Sequence, residues 1–176
     1  DNAVGRKILN LIQSVAHCMN FDCNIYYHAR HRDAGSCPYT FSDMLTAPNG
    51  VPGPGRYNYP GQAYYYFANT REGAEAEIRK HVREGIIQTA IIKPNRSIRI
   101  LDLSNTIRGG TTFLRFVRFP VSDMFSRMPR EYLIPCYVSD CCRSSGMDGI
   151  KYYGGADYSN YVSWNSGHFD FVRMEA

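Results

Sequence analysis

GPGRYNYPGQAYYYFANTREGAEAEIRKHVRE, residues 53–84, carries three different local codes in succession. The first part, GPGRYNYPG (53–61), is dense in turn formers: glycine reaches backbone angles closed to other residues, and proline cannot donate to a ladder. YYYFA (64–68) is a run of aromatics, which suits a pleated, half-buried strand. The remainder predicts a helix over 70–84, with Asn69 or Thr70 as N-cap. Glu72, three residues after Asn69, would complete a capping box. Ala74, Ile78 and Val82 recur at helical spacing as an apolar stripe, and Glu77 and His81 fall on the same side.

Upstream, VGRKILNLIQSVAHCM (4–19) predicts a helix, because Val4, Ile8, Leu11, Ile12, Val15 and Met19 keep helical spacing. CNIYYHAR (23–30) reads as a strand, and the Gly-, Pro- and Asn-rich stretch 33–62 as a long ordered loop, a type usually tied to function. Downstream, IIQTAIIK (86–93) and SIRILDLS (97–104) are two β-rich runs parted by Pro-Asn, which predicts a hairpin. FLRFVRF (113–119) fits strand or helix equally. EYLIPCYVSDCCRSSG predicts a helix closed by Gly146, kinked or begun near Pro135. GIKYY, NYVSW and FDFVRM supply three closing strands, and Trp164 is expected in the core. Strands and helices do not alternate regularly, so the expected class is α+β, a single compact mixed domain. Its division is an N-terminal helix over 1–22 and the main body over 23–176.

The chain has 176 residues, enough for one domain that buries about 70% of its unfolded surface. Apolar residues make up 44% and charged ones 20%, which excludes a disordered chain. The net charge of +4 rests mainly on arginine, whose planar fork of donors suits phosphate or carboxylate. No basic run, zinc-finger spacing or RNA-binding aromatic motif is present, so no nucleic-acid partner is expected. Six cysteines lack any C-x-x-C pair, so no metal site is expected. Reduced thiols in a cytoplasmic protein are the expectation. No apolar run reaches the roughly 18 residues of a membrane span. The chain opens on Asp1, as a processed or trimmed protein would.

Three features carry chemistry. Glu77 sits on the inward side of its helix, where a carboxylate is costly unless paired or used. The 53–61 loop combines glycines, which let a ligand approach the backbone, with Arg56, which offers donors to phosphate. The G-x-G-x-x-G dinucleotide fingerprint is absent. YYHARHRD (26–33) crowds basic and aromatic residues at a strand end and would suit an anion. Alone, each feature fits an ordinary role as well: a helix-edge carboxylate, a plain loop and a solvated strand end.

Taken in order, these segments resemble the RES domain, a family named for an arginine, a glutamate and a serine. GRYNYPG (55–61), YFA (66–68) and AEAE (74–77) follow the family's order of loop, strand and helix. ILDLS (100–104), YLIP (132–135) and GMDGIKY (146–152) match its later motifs. The similarity covers roughly residues 25–165. Two positions depart. Tyr27-His28-Ala29-Arg30 stands where many members have Tyr-Arg-Ala-Arg, and Gly154 holds the place of the serine.

The resemblance implies a fold related to that of ADP-ribosyltransferases, with a central β core flanked by helices. It also implies NAD+ as substrate, cleaved at the nicotinamide–ribose bond by a glycohydrolase or phosphorylase without metal. Water or inorganic phosphate would be the acceptor. Members often act as growth-inhibiting toxins restrained by an antitoxin. On these positions Glu77, Arg56 and Tyr66 would be catalytic, and Arg30, His28, Tyr57, Asn58 and Tyr152 would bind substrate. Arg30 and Arg56 would grip the pyrophosphate, while Glu77 would meet the positive charge that develops on the ribose. The alternatives are an ADP-ribosyltransferase acting on a macromolecule and a degenerate module that binds NAD+ or a nucleotide without turnover.

Overall fold

Aromatic and β-branched runs dominate the strands. The computed structural model describes residues 2–14, 18–20, 24–104, 117, 121 and 127–175. Among them the strands are β1 (Cys18–Asn20), β2 (Tyr26–Arg32), β3 (Tyr65–Ala68), β4 (Ile86–Pro94), β5 (Arg99–Asp102), β6 (Gly149–Tyr153), β7 (Ser159–Ser163) and β8 (Phe169–Glu175). They form a sheet in the order β1-β5-β6-β7-β3-β2-β4-β8. Neighbours are antiparallel except β5 and β6, which are parallel. The helices are α1 (Ala3–Ser14), α2 (Arg71–Arg79) and α3 (Arg130–Ser144). The protein is a single compact α+β domain.

This sheet cannot lie flat. β4 and β5 are separated by four strands, so a flat sheet would set them about 24 Å apart at ~4.8 Å per spacing. Five residues from Pro94 to Arg99 reach at most about 18 Å. The sheet therefore curls on itself, and the enclosed face becomes a core. Tyr26, Met44, Tyr65, Phe67, Ala90, Ile92, Ile98, Ile100, Tyr161 and Phe169 fill it. Phe67 and Tyr161, paired across β3 and β7, stack at 5.2 Å.

The outer face is covered by helices. Ile8 and Ile12 of α1 join Val138, Cys141 and Cys142 of α3 over Leu101, Ile150 and Val162. Ala74 of α2 packs on Ile87 and on Ala29 and Ala68, whose small side chains let the helix lie close to the strands. Cys37, Cys136, Cys141 and Cys142 form no disulfide. No helix among the described residues is long and apolar enough to cross a membrane.

Several expectations are corrected. Cys18–Asn20 pairs with β5 as a strand instead of belonging to the first helix, which is described over Ala3–Ser14. No β4–β5 hairpin forms: β4 pairs with β2 and β8, and β5 with β1 and β6. The Pro-Asn segment is held otherwise, since Asn95 donates from its backbone to the His168 carbonyl and from its side chain to that of Gly167. α2 ends at Arg79, ahead of the expected residue 84. Its cap is Thr70, which accepts from the Gly73 N–H, while the Asn69 side chain accepts from Ser159 and forms no capping box. Trp164 is half-buried and donates to the Met147 carbonyl. The closing helix contains Pro135 and ends at Ser144, and Gly146 just beyond it has a φ of 72° that favours glycine. The segment 113–119 lies outside the described residues except for Val117.

Candidate active site

Successive strand residues point to opposite faces. Ala68 pairs with Asn160, and Asn160 with Tyr152, so one row crosses the outer face of β3, β7 and β6. Tyr66, two residues before Ala68, shares that face. Next to this row β2 and β3 are in register only at Tyr27 and Ala68, while β2 pairs with β4 along its whole length. A pocket of about 650 Å³ opens there, within the range of roughly 300–1,000 Å³ that holds small molecules. α2 forms one wall with Ala74, Glu77 and Ile78, followed by Lys80 and His81. The 53–61 loop adds Gly55 and Arg56, and α3 adds Tyr132.

The loop is organised from within. Asn58 is buried and donates to the carbonyls of Gly53, Tyr59 and Gln62 at 3.0, 3.1 and 3.2 Å. The Tyr66 hydroxyl donates to Asn58 Oδ1 at 2.8 Å and accepts from the Tyr57 N–H at 3.1 Å. Desolvation holds the Tyr66 phenol protonated, far above its ordinary pKa. Gly55 is required at this latch: a Cβ there would stand 2.2 Å from Asn58 Oδ1 and 2.8 Å from the Tyr66 hydroxyl. From α3, Ser139 donates to the Tyr57 carbonyl at 2.7 Å. Thus anchored, the loop delivers Arg56, which donates to the Val117 carbonyl at 2.9 Å and lies 5.7 Å from the centre of the Tyr132 ring.

Glu77 accepts at Oε1 from Lys80 Nζ at 2.5 Å and from the Tyr158 hydroxyl at 2.8 Å. Burial by itself would raise the Glu77 pKa. The hydrogen bonds from Lys80, Asn160 and Tyr158, with the Lys80 charge, outweigh it and hold the carboxyl below its usual range. The pocket thus presents an ionised carboxylate, two cationic side chains and four tyrosines, Tyr64, Tyr66, Tyr132 and Tyr152. Among the described residues no cluster of His, Cys, Asp and Glu could hold a metal ion.

The structure brings Glu77, Arg56, Tyr66 and Tyr152 to one pocket. The other expected residues are placed differently. Arg30 lies on the enclosed side, its guanidinium 4.8 Å from the centre of the Tyr39 ring and donating to the Asp43 carbonyl. From β2 the pocket is lined by His28 and Ala29, and Arg30 is not part of its wall. His28 borders the pocket floor, but its ring turns to the far face and packs against Tyr65 at 4.5 Å. Tyr57 and Asn58 are buried behind the wall, with the Tyr57 ring 4.9 Å from that of Tyr152. Sequence reasoning missed Lys80, Tyr132, Tyr158 and Asn160. Lys80 alone had a signal, its i,i+3 spacing from Glu77; the others arrive from distant strands and helices.

A chain in the crystal structure of the M. tuberculosis MbcT–MbcA toxin–antitoxin complex has the same fold. It superposes with a TM-score of 0.61 at 13% sequence identity, covering 99% of this chain and 92% of that one. No curated protein sequence matches the chain. The RES-domain family model matches residues 25–176, which include every strand from β2 to β8 and the whole of the pocket wall. The chain belongs to the RES-domain family.

Proposed function

We propose that the pocket binds NAD+ and that the chain cleaves it at the nicotinamide–ribose bond. The observation that carries this reading is the ionised Glu77 carboxylate facing a pocket that also receives Arg56. When the C1′–N bond breaks, its electron pair leaves with nicotinamide, and positive charge develops on the ribose. Glu77 stabilises that charge, as carboxylates do in glycoside cleavage. Arg56 serves the pyrophosphate. Tyr66 and Tyr152 offer ring faces to the nicotinamide or ribose. Water, or an oxygen of inorganic phosphate, then bonds to C1′; water releases a proton as it does so.

An activity of this kind drains a central cofactor, so its role is that of a growth-inhibiting toxin acting in the cytoplasm. The fold shared with a chain of a toxin–antitoxin complex supports a restraining protein partner. A second reading, NAD+ binding without turnover, rests on Lys80, which already occupies Glu77 Oε1.

Nicotinamide release by the purified protein tests both, with and without phosphate. Glu77→Ala is expected to lower turnover by about 100-fold or more, in line with the loss of one electrostatic stabiliser. Arg56→Ala is expected mainly to raise KM. Release that depends on phosphate names a phosphorylase. NAD+ bound without release would establish the binding module instead.

A further inference from the structure

Gly154 holds the place where the RES resemblance expects a serine, and the space beside it is filled by Tyr158. A Cβ on Gly154 would stand 2.3 Å from Tyr158 Cε2 and 2.9 Å from Asn160 Nδ2. One on Gly155 would stand 2.6 Å from Tyr158 Cε1, and one on Gly73 2.5 Å from Cδ2. Side chains do not pack so closely, so three glycines, one from α2 and two from the β6–β7 turn, form a slot around this ring. Keeping Tyr158 there therefore requires glycine at 154.

The slot also sets direction. It aims the ring at α2, where the hydroxyl meets Glu77 Oε1 at 2.8 Å and lies 3.5 Å from Lys80 Nζ. Lys80 approaches the same carboxylate oxygen at 2.5 Å. Lys80 hangs on a flexible stem, whereas the Tyr158 phenol is wedged between glycines, so the rigid donor is the one that fixes the carboxylate plane.

We propose that the Tyr158 hydroxyl, its ring held between Gly73, Gly154 and Gly155, positions the Glu77 carboxylate in this chain. Its kinetic consequence rests on the NAD+-cleaving reading of the pocket. Tyr158→Phe keeps the ring in its slot and removes only the donor. Expected are an unchanged unfolding midpoint, a kcat for NAD+ cleavage lowered about 10- to 100-fold and a KM within about twofold of the wild type. The Glu77 carboxyl, followed by NMR titration, is expected to titrate at higher pH in this variant. Lys80 and His81 after α2, Asn160 of β7, Tyr152 of β6, Tyr132 of α3 and Arg56 of the loop stay in place around it. If Tyr158→Phe leaves both kcat and the Glu77 titration unchanged, the tyrosine is packing only and the proposal falls. If the wild type releases no nicotinamide, NAD+ cleavage fails as a function while the titration still decides: a raised Glu77 pKa upholds the role of Tyr158, and an unmoved one overturns it.

Discussion

His28 stands in β2 where many RES members carry arginine, and its surroundings explain what a neutral side chain does there. Its Nδ1 lies 2.7 Å from the Tyr66 carbonyl, a group that only accepts, so Nδ1 carries the proton. Nε2 is then a bare acceptor, shielded from solvent and without a hydrogen-bond partner. Desolvation lowers the pKa from 6.5 to about 4, with Arg30 adding to the effect against the Tyr66 bond. Between those values the unfolded chain takes up a proton that the folded one refuses. Stability is therefore complete above the unfolded value and falls as pH drops toward 4, by up to about 3 kcal/mol. His28→Gln keeps a donor for Tyr66 and removes the titration, so its urea midpoint is expected to change less than that of the wild type between about pH 7 and pH 4.5. An equal change in both proteins would place the acid sensitivity elsewhere. Neither the neutral histidine nor the Tyr158 and Asn160 partners of Glu77 could be read along the chain, because they depend on which carbonyls and side chains other strands bring near.

At the scale of elements, α2 matters most, since it carries Glu77 and leads into Lys80. Its N-terminus is held by Thr70, and Arg71 ties it to Glu175 of β8 at 2.6 Å and to Glu75 at 2.6 Å. Thr70→Ala is expected to cost about 1 kcal/mol, as typical N-cap losses do, and to reduce turnover through a displaced first turn. Denaturant unfolding and nicotinamide release on the same variant check both effects. The helix was visible in the spacing of Ala74 and Ile78, and β3 in its aromatic run, because both signals are local. The shorter end of α2, the strand at Cys18–Asn20 and the absence of a β4–β5 hairpin were not visible. The last two are decided by partners elsewhere in the chain: β1 exists because β5 pairs with it, and both edges of β4 are occupied by β2 and β8, which leaves none for β5.

At the scale of the whole molecule, the curl of the sheet is the property on which the site depends. It is closed by the short passage from β4 to β5, whose Ile98 is fully buried in the enclosed core. Ile98→Ala is expected to destabilise by about 2–5 kcal/mol, with a lower denaturant midpoint and an unchanged slope, since it leaves a cavity where two halves of the sheet meet. The order of motifs from GRYNYPG to GMDGIKY identified the family, and alternation and helical spacing identified α+β elements, because such patterns are written into neighbouring residues. Glu77, Arg56, Tyr66 and Tyr152 could be named from those motifs for the same reason. Which face each strand residue looks toward depends on pairing and curl, and only the tertiary structure decides that. It sent Arg30 and the His28 ring to the enclosed side, put Tyr57 and Asn58 behind the wall, and brought Asn160 and Tyr158 to the carboxylate. Local sequence sets period and propensity; the burial of side chains between distant strands sets which residues meet.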